Sequence, residues 1–323
     1  MSTNRVLYAP TRRARSRRRL AYALGVAGLA LSVAACGATS PMPPEVSPIH
    51  AGVDVSRIDY PVPGGHANPA QNWMDLYLPA DHHTGRLPLV ILIHGGGWRN
   101  WIGAGSFAAF AASIARRGVA VLNMEYRRVG SGGGWSTTFS DAAAAVDDVP
   151  AIAHRFPIID TGRSAIVGHS SGAQLAVWAA TRDRARTSGV GYPAIYRPAV
   201  AFSISGPLDM RRAAALGDRN VVRVLGGKPQ QVPQRYAAVD PIENLDLQTP
   251  IVAVVGDRDT TVPGILTRDY VTAANAAGGH ARLITFAGQT HSSIVSPSSS
   301  TFPRLVDEIV GALAPSQPRR DDR

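Results

Sequence analysis

After about residue 56, short apolar runs recur along the chain, most of them separated by longer stretches of helical period. Residues 89–93 (Leu-Val-Ile-Leu-Ile), led in by Pro88 and closed by Gly95, Gly96 and Gly97, are too few for a helix and predict a buried strand. Residues 119–124, 164–167, 200–204, 251–255 and 282–286 predict five more, and 73–78 alternates as an edge strand does. Helical patterns occupy 107–117, 140–155, 172–181, 265–277 and 302–313. Gly118 and Gly278 stand where a helix end takes a left-handed residue. Strands alternating with helices predict an α/β fold, with a mostly parallel central sheet and helices on both faces. Ligands bind such sheets at the carboxyl ends of the strands, so the chemistry belongs just after each apolar run.

The run at 164–167 is followed by Gly168-His169-Ser170-Ser171-Gly172 and then by helix-forming residues. A strand, a tight turn with Ser between glycines, and a helix form the context of a nucleophile elbow. Side chains at 168 or 172 are expected to collide with neighbouring backbone, and Ser170 to be lifted above the sheet edge in a strained conformation. After the run at 89–93 comes His94-Gly95-Gly96-Gly97-Trp98, where glycines expose backbone N–H groups to a ligand, as in an oxyanion loop. The expected donors are the N–H groups of Gly96, Gly97 and Ser171. A phosphate cradle is excluded because no Lys-Ser or Lys-Thr follows. His94 is expected to brace this loop, and Trp98 and Trp101 to wall the pocket.

A serine hydroxyl needs a base. Of nine histidines, only His291 follows a late strand near the C-terminus. His280 precedes that strand, His169 is expected to point away from its neighbour Ser170, and the others read as surface or structural residues. For the acid, two residues compete in Gly256-Asp257-Arg258-Asp259-Thr260-Thr261-Val262-Pro263. Asp259 lies deeper in the turn, while Asp257, nearer the strand end, suits a loop-stabilising role. No HExxH or Cys/His cluster is present, so no metal or cofactor is expected.

Composition places this pattern in a folded domain: 45% of the 323 residues are hydrophobic and 17% charged. The net charge of +10 suggests a nucleic-acid partner until it is located. Seven of the 33 basic residues lie in the first 35 positions, with no acid among them, so 26 basic residues face 23 acidic ones in the remainder. A net of +3 there gives no nucleic-acid footprint. The basic block at 11–19 leads into sixteen uncharged residues, 20–35, too few for a spanning helix of about 20. That is the layout of a signal peptide. The one cysteine, Cys36, ends Val33-Ala34-Ala35-Cys36, which resembles the lipobox of bacterial lipoproteins, and Ser16-Arg17-Arg18-Arg19-Leu20 resembles a twin-arginine export motif. The lipobox resemblance implies diacylglycerol on Cys36 and a membrane partner held through it. The expected organisation is signal peptide 1–35, flexible tether 36–55, catalytic domain 56–314 and disordered tail 315–323.

Taken together, His94–Trp98, Glu125-Tyr126-Arg127, the 168–172 turn, the 256–263 turn and His291 resemble the α/β-hydrolase esterases, notably the feruloyl-esterase-like and hormone-sensitive-lipase-like groups, over about residues 56–314. The resemblance implies an α/β-hydrolase fold, a Ser-His-Asp triad with Asp259 as the acid, and a small-molecule ester substrate. The His-Gly-Gly-x-Trp form is also similar to that of kynurenine formamidases, which use the same triad on an aryl formamide. The rival outside catalysis is an envelope lipoprotein that keeps the fold for binding. One departure stands out: no sizeable N-terminal cap precedes the sheet. The one insertion long enough to cover the site is 207–247, polar and rich in arginine, which favours small or polar esters over long-chain lipids.

Overall fold

Successive side chains of a strand point to opposite faces of the sheet, so an unbroken apolar run needs cover on both. In the computed structural model, which describes residues 51–314 apart from 63, 82–84, 185–188 and 192, that cover comes from helices on each side. The eight strands are β1 (Val53–Asp59), β2 (Trp73–Pro79), β3 (Leu87–Ile93), β4 (Ala120–Met124), β5 (Ile159–His169), β6 (Val200–Ile204), β7 (Ile251–Gly256) and β8 (Ala281–Phe286). They form one sheet in the order β1-β2-β4-β3-β5-β6-β7-β8. Only β2 runs against the others. The predicted α/β class and mostly parallel sheet are therefore observed.

The central strand shows how the run divides. Leu89, Ile91 and Ile93 enter a core on one face, and Val90 and Leu92 a core on the other. The first face is covered by α2 (Thr137–Asp147), α3 (Val149–Arg155), α4 (Ser171–Thr181) and α8 (Ile265–Ala276). The second is covered by α1 (Ala108–Ala115) and α9 (Phe302–Gly311). In α9 the buried residues Phe302, Leu305, Val306 and Ile309 recur at helical spacing. Each such side chain, once fully buried, contributes about 1.5–3 kcal/mol.

Three expectations change. The stretch 140–155 is not one helix but α2 and α3, because Pro150 lacks the N–H that would continue the first helix and is accommodated in the first turn of the second. Residues 73–78 form β2, but β2 is not the edge strand, because β1 pairs outside it along its whole length. That edge strand starts at Val53, inside the stretch expected to be tether. The calls on the signal peptide, Cys36 and the C-terminal tail lie outside the described residues.

The insertion at 207–247 contains α5 (Met210–Ala215), α6 (Arg219–Leu225) and α7 (Pro233–Val239). Its arginines serve mainly to fasten it. Arg211 pairs with Glu243, Arg212 with Asp269, and Arg235 donates to the Leu225 carbonyl.

Candidate active site

Ser170 occupies the turn between β5 and α4 with φ 56° and ψ −124°, and its N–H donates to the Ile204 carbonyl at 2.8 Å. The turn is this sharp because its flanking residues lack side chains. A Cβ on Gly168 would be driven into the Gly172 carbonyl, and one on Gly172 into the carbonyls of Ile93 and His94. The collision anticipated from the sequence is thus the one the backbone imposes.

His291 reaches Ser170 from the loop after β8. The Ser170 hydroxyl donates to His291 Nε2 at 2.9 Å, and His291 Nδ1–H donates to Asp259 Oδ2 at 2.8 Å. Asp259 sits in the turn after β7, where its Oδ1 accepts from the N–H groups of Thr261 (2.9 Å) and Val262 (3.0 Å). Burial pushes the Asp259 carboxyl up, but the hydrogen bonds from His291 and Val262 outweigh it and hold the group below the usual carboxylate range. Asp257 does not reach His291. It accepts from Gly288 N–H at 2.7 Å, tying the turn after β7 to the one after β8. A hydroxyl bonded to an imidazole whose other nitrogen faces a carboxylate can shed its proton as it attacks a carbonyl carbon.

His169 corrects an expectation. It does not point away from the site, because its Nε2–H finds its acceptor at the carbonyl of His291, 2.8 Å away, and the two rings lie 4.7 Å apart. Burial, together with the nearby His291, lowers its pKa to about 3.

The loop after β3 turns on Gly96 (φ 114°), Gly97 (φ 63°) and Trp98 (φ 54°). Gly96, Gly97 and Ser171 line the same pocket as Ser170 and His291. His94 braces the loop from beneath: its Nδ1–H donates to the Gly95 carbonyl at 2.7 Å, and its ring stacks on Tyr126 at 4.5 Å. Its Nε2 stands 3.2 Å from Glu125 Oε1. Glu125 is buried, accepts from the N–H groups of Ala104 (3.0 Å) and Tyr126 (2.9 Å), and pairs with Arg128 at 3.0 Å. Burial raises the Glu125 carboxyl, yet His94 and the backbone donors bring it below its ordinary range. Sequence reasoning gave Glu125 no role and missed Arg128. The available signal was a carboxylate just past a strand that is otherwise apolar but for Asn123.

The pocket above these residues has a volume of about 860 Å³. Trp98 and Trp101 both line it, as expected. Trp98 is buried, whereas Trp101 is 68% exposed and pinned by its Nε1–H, which donates to the Gly96 carbonyl at 2.6 Å. From the insertion, Pro207, Ala213 and Leu216 present apolar surface and Arg219 and Asn220 polar surface. Of the arginines expected to make the insertion polar, only Arg219 lines the pocket.

A family model described as BD-FAE matches residues 74–272. Among curated proteins, the "Probable isoprenylcysteine alpha-carbonyl methylesterase ICME" of Oryza sativa subsp. japonica is 24% identical over 260 residues, covering 75% of this chain and 61% of that protein. The isoprenylcysteine alpha-carbonyl methylesterase of Arabidopsis thaliana is 23% identical over 263 residues, covering 75% and 59%. The chain therefore spans about three fifths of the length of these curated relatives. Among solved structures, a truncated carbohydrate esterase from gut microbiota superposes with a TM-score of 0.66 at 21% identity, covering 80% of this chain and 96% of that one. A bacterial heroin esterase gives 0.66 at 22% identity, covering 82% and 84%. An esterase of Thermogutta terrifontis gives 0.63 at 21%, covering 83% and 96%. The fold is the α/β-hydrolase fold.

Proposed function

The chain belongs to the BD-FAE family, and from that membership we propose that it is a carboxylic ester hydrolase in which Ser170 is the nucleophile, His291 the general base and Asp259 the acid that orients it. The observation that carries this reading is the unbroken hydrogen-bonded line from the Ser170 hydroxyl through His291 to Asp259, at 2.9 and 2.8 Å.

The chemistry runs in two halves. Ser170 Oγ attacks the ester carbonyl carbon while its proton passes to His291 Nε2. The carbonyl oxygen, now negative, is held by N–H groups of Gly96, Gly97 and Ser171, each typically contributing about 2.7–4 kcal/mol to barrier lowering. The imidazolium keeps Nδ1–H on Asp259, which stays ionised. The alcohol then leaves with the Nε2 proton, and an acyl-Ser170 ester remains. Water attacks that ester, gives its proton to His291, and the acid is released as Ser170 recovers its own. Small or polar acyl groups are the proposed substrates, because Arg219 and Asn220 stand among the pocket's lining. The same chain is exported and held to a membrane by acyl groups on Cys36, a reading supported by the basic block, the short apolar segment and the position of the one cysteine.

The test is hydrolysis of p-nitrophenyl acetate and its longer homologues by wild type beside Ser170→Ala. The expected result is a loss of at least about 10³-fold in kcat in the variant, with rates falling as the acyl chain lengthens. Folded wild type that cleaves none of these esters and whose Ser170 takes no fluorophosphonate label would remove the esterase reading.

A further inference from the structure

Three non-glycine residues among those described hold a positive φ: Trp98 at 54°, Ser170 at 56° and Ser205 at 51°. All three lie just beyond the carboxyl end of a strand: β3, β5 and β6. Strain of this kind persists only where the surroundings over-determine it, and it collects at functional sites. Trp98 closes the glycine loop and Ser170 is the proposed nucleophile. Ser205 has had no part so far.

Its position carries a second cost. Ser205 is 1% exposed, and its hydroxyl, shut away from water, makes no hydrogen bond of ordinary length and angle. Buried hydroxyls without partners are rare because they forfeit their hydration for nothing. A glycine here would adopt the left-handed backbone without strain, and an alanine would leave no orphaned oxygen. Serine keeps both costs, so the hydroxyl itself is the useful part.

The group it approaches is the Asp259 carboxylate, whose ionised form a long contact from the Ser205 hydroxyl favours, less than the hydrogen bonds from His291 and Val262 do. Ser205 N–H donates to the Val254 carbonyl at 2.8 Å, which locks this residue to the strand that leads into the Asp259 turn. A carboxylate offers about four lone-pair sites. Three are taken, by Thr261 N–H, Val262 N–H and His291 Nδ1–H. We propose that Ser205 is a positioning residue whose hydroxyl supplies the fourth donor to Asp259 as His291 takes up the Ser170 proton. The carboxylate then keeps Oδ2 aimed at Nδ1 and leaves the proton on the imidazole. The titratable neighbours facing this pair are His291 itself and His169, which burial keeps neutral. This inference rests on the reading of Asp259 as the orienting acid.

The experiment compares full-length wild type, Ser205→Ala and Ser205→Gly on p-nitrophenyl acetate across pH, with rates expressed per Ser170 titrated by a fluorophosphonate. Both variants are expected to lose about 10-fold or more in kcat with KM little changed. The acid limb of the pH profile should move to higher pH by the same amount in both, since a carboxylate with fewer donors holds the imidazole proton more tightly. Active wild type with kcat and acid limb unchanged in the variants would overturn the proposal. So would recovery of wild-type behaviour by the glycine variant alone, which would assign Ser205 to backbone geometry. A wild type that neither cleaves esters nor labels at Ser170 would instead overturn the site reading and this inference with it.

Discussion

His169 shows at the scale of one residue how neighbours in sequence can serve each other indirectly. It adjoins Ser170, yet its ring turns to the main chain of His291. Burial, and then the neighbouring His291, set its folded-state pKa near 3, below the ordinary 6.5. Folding thus favours the neutral ring, and the stabilisation is present above pH 6.5 and lost as pH falls from 6.5 toward 3. Thermal melts of wild type should therefore show Tm falling through that window, and His169→Gln, which cannot titrate, should give a flatter slope. Equal slopes would remove this account of the residue. Ser170, His291 and Asp259, the proposed triad, could be picked out of the sequence because serine hydrolases present such residues in fixed chain order after particular strands. Asp257 follows the same strand, and the sequence set it aside for Asp259 on depth in the turn and on the family resemblance; the reach to His291 separates the two in the structure. Ser205 carried no signal at all, because neither a positive φ nor an orphaned hydroxyl shows in a letter.

The glycine loop is the element whose support was least visible. Its glycines announce a backbone that approaches a ligand, but a loop so free in φ needs holding from outside. His94, Glu125, Tyr126 and Arg128 do this together from beneath. Replacing Glu125 by Gln leaves the Arg128 guanidinium buried without its counter-charge, a change that typically costs about 3–5 kcal/mol. Glu125→Gln is expected to melt well below wild type and, at temperatures where it stays folded, to lose kcat more than KM. A variant matching wild type in both would show the loop to be self-supporting. Strand runs at 89–93 and 251–255 were readable because strands covered on both faces are apolar throughout. β1 was not, because only Val53 and Ile58 are buried in it and it follows a proline-rich stretch. The break between α2 and α3 was missed because apolar residues keep helical spacing across Pro150.

At the largest scale, the described residues form a sheet with a core on each side and a pocket along one edge, and this division follows from the alternation in β3. The insertion at 207–247 was legible as a cover for the site but not in the mixed character of its inner face, since the letters do not say which arginines turn to partners elsewhere. The proposed acyl attachment at Cys36 predicts that Cys36→Ser moves the protein from the membrane fraction to the soluble one. Its kcat on p-nitrophenyl acetate should be unchanged, and a drop in rate would show that attachment shapes the pocket. β1 runs parallel to the central strands, so Val53 stands at their amino ends, opposite the edge where Ser170 and His291 line the pocket. A support that met the described domain at Val53 itself would meet it on the edge away from the pocket, and substrate would enter from solution without first crossing it.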